Sequence, residues 1–187
     1  VVYNQFIGKV DYHHQMTGTM DARYSDDAGA TWSEPQTIPM PKSRLYDHPD
    51  PGMPPNWIVW QRPDRLSEGK YLAGFTRWIS PLRRTPPPVN SWTAAESVVE
   101  FMRFENLDDD PEPRDLQVSY HAWGNRAIRV PHYTHPMLSI AQEPSVTALP
   151  DGRLFCTMRT MTGTIWYSVS DDAGRTWRPP APLRRHD

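Results

Sequence analysis

Residues 170–177 read SDDAGRTW, and residues 25–32 read SDDAGATW. An eight-residue turn sequence written twice, 145 positions apart, is a sign of repeated architecture. Its residue types have separable duties. Asp172 can accept hydrogen bonds from backbone N–H groups of its own loop, Gly174 can take a positive φ, and Ser170 and Thr176 can tie the strand ends. Trp177 is large enough to pack between neighbouring sheets. Ser25, Asp27, Gly29, Thr31 and Trp32 repeat the same assignment in the earlier copy.

Outward from the second copy, residues 143–182 read as a four-strand meander. EPSVTAL is a strand, PDG a tight turn, RLFCTMRT a second strand, MTG a turn, TIWYSVS a third strand, DDAG a loop and RTWRPPAPL a fourth strand. Four short antiparallel strands of this spacing make a unit the size of one propeller blade. WIVWQRPDRLSEGKYLAGFTRW is a weaker echo of the same pattern, closing on Thr76-Arg77 where the later copy closes on Arg159-Thr160. SVVEFMRFENLDDDPEPRDLQVSY supplies two further strands around an acidic loop. The expected organisation is thus one partial domain over 1–187, with the end of one blade at 1–40, an irregular blade at 55–122 and a complete blade at 141–183.

Composition agrees with a folded β protein. The chain of 187 residues is 37% hydrophobic and 11% aromatic, and its 21 prolines disfavour long helices. Net charge is −2 with no dominant block of one sign, so the linear sequence gives no reason to expect nucleic acid or an anionic membrane as partner. The single cysteine, Cys156, rules out an internal disulfide framework, and no ligand spacing implies a metal. No apolar run approaches twenty residues, so a membrane span is not expected. The chain opens on Val1-Val2 rather than Met and reads as part of a longer protein. Two proline-rich loops, 39–56 and 80–92, are too long for plain hairpins and are places where binding function can sit.

The pattern Ser-x-Asp-x-Gly-x-Thr-Trp, complete at 25–32 and 170–177, resembles the Asp-box of the sialidase superfamily. The resemblance implies an all-β propeller of four-stranded antiparallel blades, six-bladed in the full protein with roughly half of it here. It also implies that the boxes lie on the face away from substrate. AQEPSVTALPDGRLFCTMRT, residues 141–160, is similar to the sialidase segment in which a glutamate opens a strand and an arginine closes the next, here sixteen residues later. On that resemblance Glu143 is the catalytic activator of a tyrosine nucleophile and Arg159 one of a trio of arginines clamping the sugar carboxylate. Arg77, at the matching strand end of the internal echo, is the second candidate for substrate binding.

The implied chemistry suits those residue types. A carboxylate nucleophile would be repelled by the carboxylate beside the anomeric carbon of a sialic acid. A neutral tyrosine avoids that repulsion but needs a neighbouring glutamate to draw off its proton. Guanidinium forks bind the carboxylate through paired charge-assisted hydrogen bonds. The implied activity is therefore exo-α-sialidase-like hydrolysis with retention, on a glycan partner ending in an acidic sugar, without a cofactor, in a secreted or periplasmic protein. A glycan-binding propeller and a hydrolase or lyase of uronic-acid or sulfated glycans are the alternatives on the same fold.

The resemblance assigns no tyrosine. Asp47 and Asp50, in the first long loop, are the candidates for the acid/base. Arg129 in IRVP superficially resembles the Arg-Ile-Pro motif near sialidase N-termini but falls between blades and is given no role. In GKVDYHHQMTGTM, strand geometry would send His13 and His14 to opposite faces, which argues against a paired metal site.

Overall fold

A computed structural model describes residues 1–59, 61–84 and 96–184. The described residues form three antiparallel sheets. The first is three-stranded, with β1 (Val2–Gln5), β2 (Thr19–Ala22) and β3 (Gln36–Ile38) in that order. In the second, β4 (Trp57–Ile58), β6 (Tyr71–Trp78), β7 (Ser97–Phe104) and β8 (Val118–His121) lie in sequence order, and β5 (Asp64–Arg65) also pairs with β6. The third runs β9 (Gln142–Ala148), β10 (Leu154–Arg159), β11 (Trp166–Ser170), β12 (Ala181–Pro182). Among the described residues, short 3-10 turns lie at 107–109, 113–115 and 124–126.

Burial explains the strand sequences. β6 and β7, YLAGFTRW and SVVEFMRF, lie between the outer sheets and are buried along nearly their whole length, so they carry no polar-outward alternation. β10 faces a neighbour on one side only, and its burial alternates residue by residue. β12 is shorter than the strand expected over RTWRPPAPL. Pro179, Pro180 and Pro182 have no N–H to donate, so only two residues pair, at the edge of the sheet.

Two apolar clusters join the sheets. Leu72, Val99 and Phe101 of the second pack with Val146, Leu154 and Met158 of the third, while Met20 and Ile38 of the first pack with Trp57, Phe75 and Met102. Gly74 permits a close approach of β6 and β9. A Cβ there would lie 2.8 Å from Cγ of Pro144, so the β6–β9 contact requires a residue without a side chain. The two turn motifs have matching hydrogen bonds. In one, Thr31 donates to both carboxylate oxygens of Asp27 from its N–H (2.9 Å) and hydroxyl (2.6 Å). In the other, Thr176 does the same to Asp172 (2.8 and 2.5 Å).

Strand direction sorts the connections onto two ends. In their described residues, the connections 6–18, 39–56, 79–96, 122–141 and 160–165 share one end, and the connections 23–35, 59–70, 105–117, 149–153 and 171–180 share the other. Both Asp-boxes lie at the second end. Ser170 pairs with Leu154, so the second box is separated from Arg159 by the length of β10, about 17 Å.

Candidate functional site

Glu143 and Arg159 meet at the first end. Arg159 closes β10, Gln142 pairs with it at the start of β9, and the ladder shifts register between Thr157 and Arg159. β9 therefore spends three residues where β10 spends two, and Glu143 takes up the difference with a left-handed φ of +47°. A non-glycine residue in that region is strained and is held there by its surroundings. The holding bond is visible: the Glu143 N–H donates to Oγ1 of buried Thr76, 2.8 Å away on β6. The bulge turns the Glu143 carboxylate onto Arg159, whose Nη1 donates to Oε1 at 2.5 Å. Both side chains remain about a third exposed, Arg159 at 38% and Glu143 at 27%, so the pair is open to a ligand.

Arg77 lies elsewhere. Its side chain has no exposed surface, and its Nη1 donates to both oxygens of Asp47 (2.8 and 2.9 Å) while Nε donates to Oε2 of Glu100 at 2.7 Å. The guanidinium carbon sits 4.4 Å from the ring centroid of Trp123. Arg77 consequently does not present its fork to a sugar carboxylate, and the substrate-clamp expectation is corrected: the residue is the centre of a buried ion triad. Backbone donors add to these bonds: the Gly124 N–H meets the other oxygen of Glu100 (2.9 Å), and the Ser43 N–H shares Oδ2 of Asp47 with Arg77 (2.7 Å). Burial raises the Glu100 carboxyl above its usual range despite the opposing pull of Arg77.

Asp47 is corrected with it. A carboxylate that is fully buried under a guanidinium cannot hand a proton to a leaving group. Asp50 is exposed at a loop tip and caps its own turn through the Gly52 N–H at 2.8 Å. Asp11 is half-buried, accepting from Asn56 Nδ2 (2.7 Å) and Ser80 Oγ (3.0 Å). Tyr46 is buried with its hydroxyl on the Gly124 carbonyl at 2.7 Å.

His13 and His14 do not alternate across a strand, because residues 13–16 form a turn closed by the Met16 N–H on the His13 carbonyl. Their rings lie 4.3 Å apart on one side. Arg129 shares Oε1 of Glu96 with Arg84, at 2.8 and 3.0 Å. Burial raises the Cys156 thiol far above its usual range. Among the described residues no group of three or more His, Cys, Asp or Glu side chains converges in a way that could hold a metal ion. Residues 85–92 of the second long loop lie outside the described residues.

Thr76, Glu100 and Trp123 were not singled out from the sequence. Glu100 carried the clearest signal, an acid inside the apolar run SVVEF, which a strand buried on both faces tolerates only when paired.

Several solved structures share the fold. A leech intramolecular trans-sialidase, complexed with 2,7-anhydro-Neu5Ac, superposes with a TM-score of 0.53 at 21% identity, over 90% of this chain and 19% of that one. The intramolecular trans-sialidase from Ruminococcus gnavus, in complex with oseltamivir carboxylate, gives 0.52 at 19% identity, over 89% and 27%. A protein of unknown function from Dyadobacter fermentans gives 0.53 at 16% identity, over 88% and 38%. The chain thus spans less than two fifths of each of these structures, and at such identities the likeness is one of fold. No curated protein matches it. The model of the BNR repeat-like domain covers residues 6–187. With both turn motifs in place on antiparallel sheets of a partial sialidase-like β-propeller, the chain belongs to the BNR repeat-like domain family.

Proposed function

We propose that this propeller segment belongs to a retaining glycoside hydrolase of the exo-α-sialidase type, acting on glycans that end in an acidic sugar. The observation that carries the reading is the Glu143–Arg159 pair, a carboxylate and a guanidinium sixteen residues apart in sequence and 2.5 Å apart in space, at the end of the sheets away from both Asp-boxes. Glu143 is the group that draws the proton from a tyrosine nucleophile, and Arg159 clamps the sugar carboxylate. The strained bulge aims the glutamate in advance of substrate, which is how a site avoids reorganisation at the moment of reaction. Arg77 and its two carboxylates act beneath the site, fixing the end of β6 from which Thr76 holds the bulge.

One observation favours a second reading. The direct Arg159–Glu143 ion pair leaves the glutamate already engaged, as suits a non-catalytic glycan-binding propeller in which an acidic ligand competes for Arg159.

The test is release of a fluorogenic leaving group from a sialic-acid glycoside by the protein that carries this segment, alongside folded Glu143→Gln and Arg159→Ala variants. Glu143→Gln is expected to lower kcat by about 10²–10⁴-fold with little change in KM. Arg159→Ala is expected to lower kcat/KM by at least tenfold, chiefly through KM. Wild-type protein that binds an acidic glycan without turning it over, and keeps binding it in Glu143→Gln, overturns the hydrolase reading in favour of the second. Turnover of uronic-acid or sulfated glycans alone moves it to a different hydrolase or lyase.

A further inference from the structure

The linear sequence interleaves its charges, but the fold separates them. Among the described residues, the five loops at the Glu143–Arg159 end hold seven Lys and Arg side chains against four Asp and Glu. The five loops at the Asp-box end hold eight against fourteen. A chain of net charge −2 is thus basic at one end and strongly acidic at the other.

Exposed apolar side chains are sorted the same way. Among the described residues thirteen large hydrophobic side chains are exposed, of which nine lie in loops of the basic end and two in loops of the acidic end. The three most exposed of the nine are Met137 at 83%, Leu82 at 66% and Tyr133 at 64%. Burying such side chains is what stabilises a protein, so nine on one end call for an apolar partner there. Four of these loops, 6–18, 39–56, 79–96 and 122–141, are joined by hydrogen bonds between their described residues. Ser80 donates to Asp11, Arg83 Nε donates to the Asp47 carbonyl at 2.7 Å, and Tyr46 donates to the Gly124 carbonyl. Arg84 and Arg129 both reach Glu96 and the Met137 carbonyl, which sets two partly exposed guanidiniums at the backbone of Met137.

Arginine beside exposed aliphatic and aromatic side chains, on the positive end of a dipolar molecule, matches the chemistry of a lipid interface. The apolar tips enter the headgroup boundary while the guanidiniums meet anionic headgroups. A soluble anion would satisfy the charge and leave the apolar tips in water. We infer that the Glu143–Arg159 end is a docking surface for an anionic lipid bilayer, which holds the face carrying that pair against the membrane. The contact is peripheral: no helix in the described residues is long and apolar enough to cross a membrane, and docking of this kind needs none.

The experiment is flotation of the protein that carries this segment with phosphatidylcholine vesicles and with phosphatidylcholine–phosphatidylserine vesicles, and it needs no turnover. The expected result is flotation with the phosphatidylserine vesicles alone, weakened by added salt. A Leu82→Ser/Met137→Ser double variant, altered only at exposed positions, should lose at least about tenfold in partitioning. Leu183→Ser, exposed but outside these loops, should behave as wild type. No flotation, or equal flotation of the double variant, overturns the inference. So does salt-sensitive self-association in sedimentation velocity that is abolished by the same double variant, which assigns the surface to a second copy of the chain. Flotation by a protein that turns over no sialic-acid glycoside would instead count against the hydrolase reading alone.

Discussion

Arg77 has a fully buried guanidinium held between two carboxylates, with one terminal nitrogen, Nη2, lacking a hydrogen-bond partner. Two negative charges around one positive charge are tolerable in a dry interior because each carboxylate also accepts a backbone N–H, Asp47 from Ser43 and Glu100 from Gly124. Removing the arginine leaves both acids buried without a counter-charge. Arg77→Met should therefore destabilise the fold by about 3–5 kcal/mol in urea unfolding. Adding Glu100→Gln and Asp47→Asn to that variant should restore part of the loss, since the three groups act as one unit. If Arg77→Met alone costs under about 1 kcal/mol, the triad does not hold this end together.

The fate of Arg77 also shows what the sequence conveyed and what it withheld. The internal echo placed Arg77 at a strand end matching Arg159, and the register agrees: Arg77 pairs with Trp57 at the start of β4 as Arg159 pairs with Gln142 at the start of β9. A strand end does not fix exposure, however. Loop 39–56 folds Asp47 over Arg77, which has no exposed surface, whereas the Arg159 side chain stays 38% exposed. The turn motifs were legible because each is closed by bonds within eight residues; the Arg77 triad spans residues 47 to 100 and left only the oddity of an acid in β7. The left-handed bulge at Glu143 has no local signature either. Its cause is Thr76, 67 residues away.

At the level of elements, the two Asp-boxes make a controlled comparison. Their hydrogen bonds are the same, but their settings differ. Asp27 is fully exposed, and the Thr31 hydroxyl, the Thr31 N–H and Ser25 lower its carboxyl to about 2. At Asp172 partial burial opposes the same bonds, and the carboxyl is still lowered. A carboxyl whose pKa is lower folded than unfolded contributes stability that is complete above its ordinary value, about 3.9, and lost as pH falls through the folded value. A carboxyl-carbon NMR titration should accordingly place the Asp27 midpoint near 2, and Thr31→Val should move it up towards the ordinary value. A wild-type midpoint near 3.9 would mean the turn bonds do not persist in solution.

The glycines of the boxes differ more sharply. Gly29 and Gly174 both have positive φ, +90° and +83°, but a Cβ on Gly29 meets only Trp32 at 3.6 Å while one on Gly174 would lie 2.6 Å from Cδ2 of Leu72. Gly29→Ala should cost the left-handed penalty alone, about 1–2 kcal/mol. Gly174→Ala adds overpacking against β6 and should cost about 1–3 kcal/mol more. Equal losses for the two variants, read from thermal unfolding, would show that the second box is not wedged into the interface between the second and third sheets.

Across the whole molecule that wedge decides how the sheets hold together. Trp177 of the second box stacks on Phe101 of β7, with centroids 4.3 Å apart and planes 12° apart, so the turn motif of one sheet is cemented into the core of its neighbour. Trp32, at the same place in the first box, is 47% exposed. One sequence motif is therefore a turn device in both copies and an inter-sheet tie in one. Trp177→Ala should cost about 3 kcal/mol and release the third sheet, raising amide exchange along β9 and β10 more than along β1 and β2. Trp32→Ala should cost about 0.5 kcal/mol and leave exchange in both regions near wild type. The argument fails if exchange rises uniformly in Trp177→Ala, because the three sheets would then unfold as one unit and no single tie would hold the third. A selective rise would also loosen the β9–β10 bulge that sets Glu143 against Arg159, so the same variant should weaken any ligand that depends on that pair.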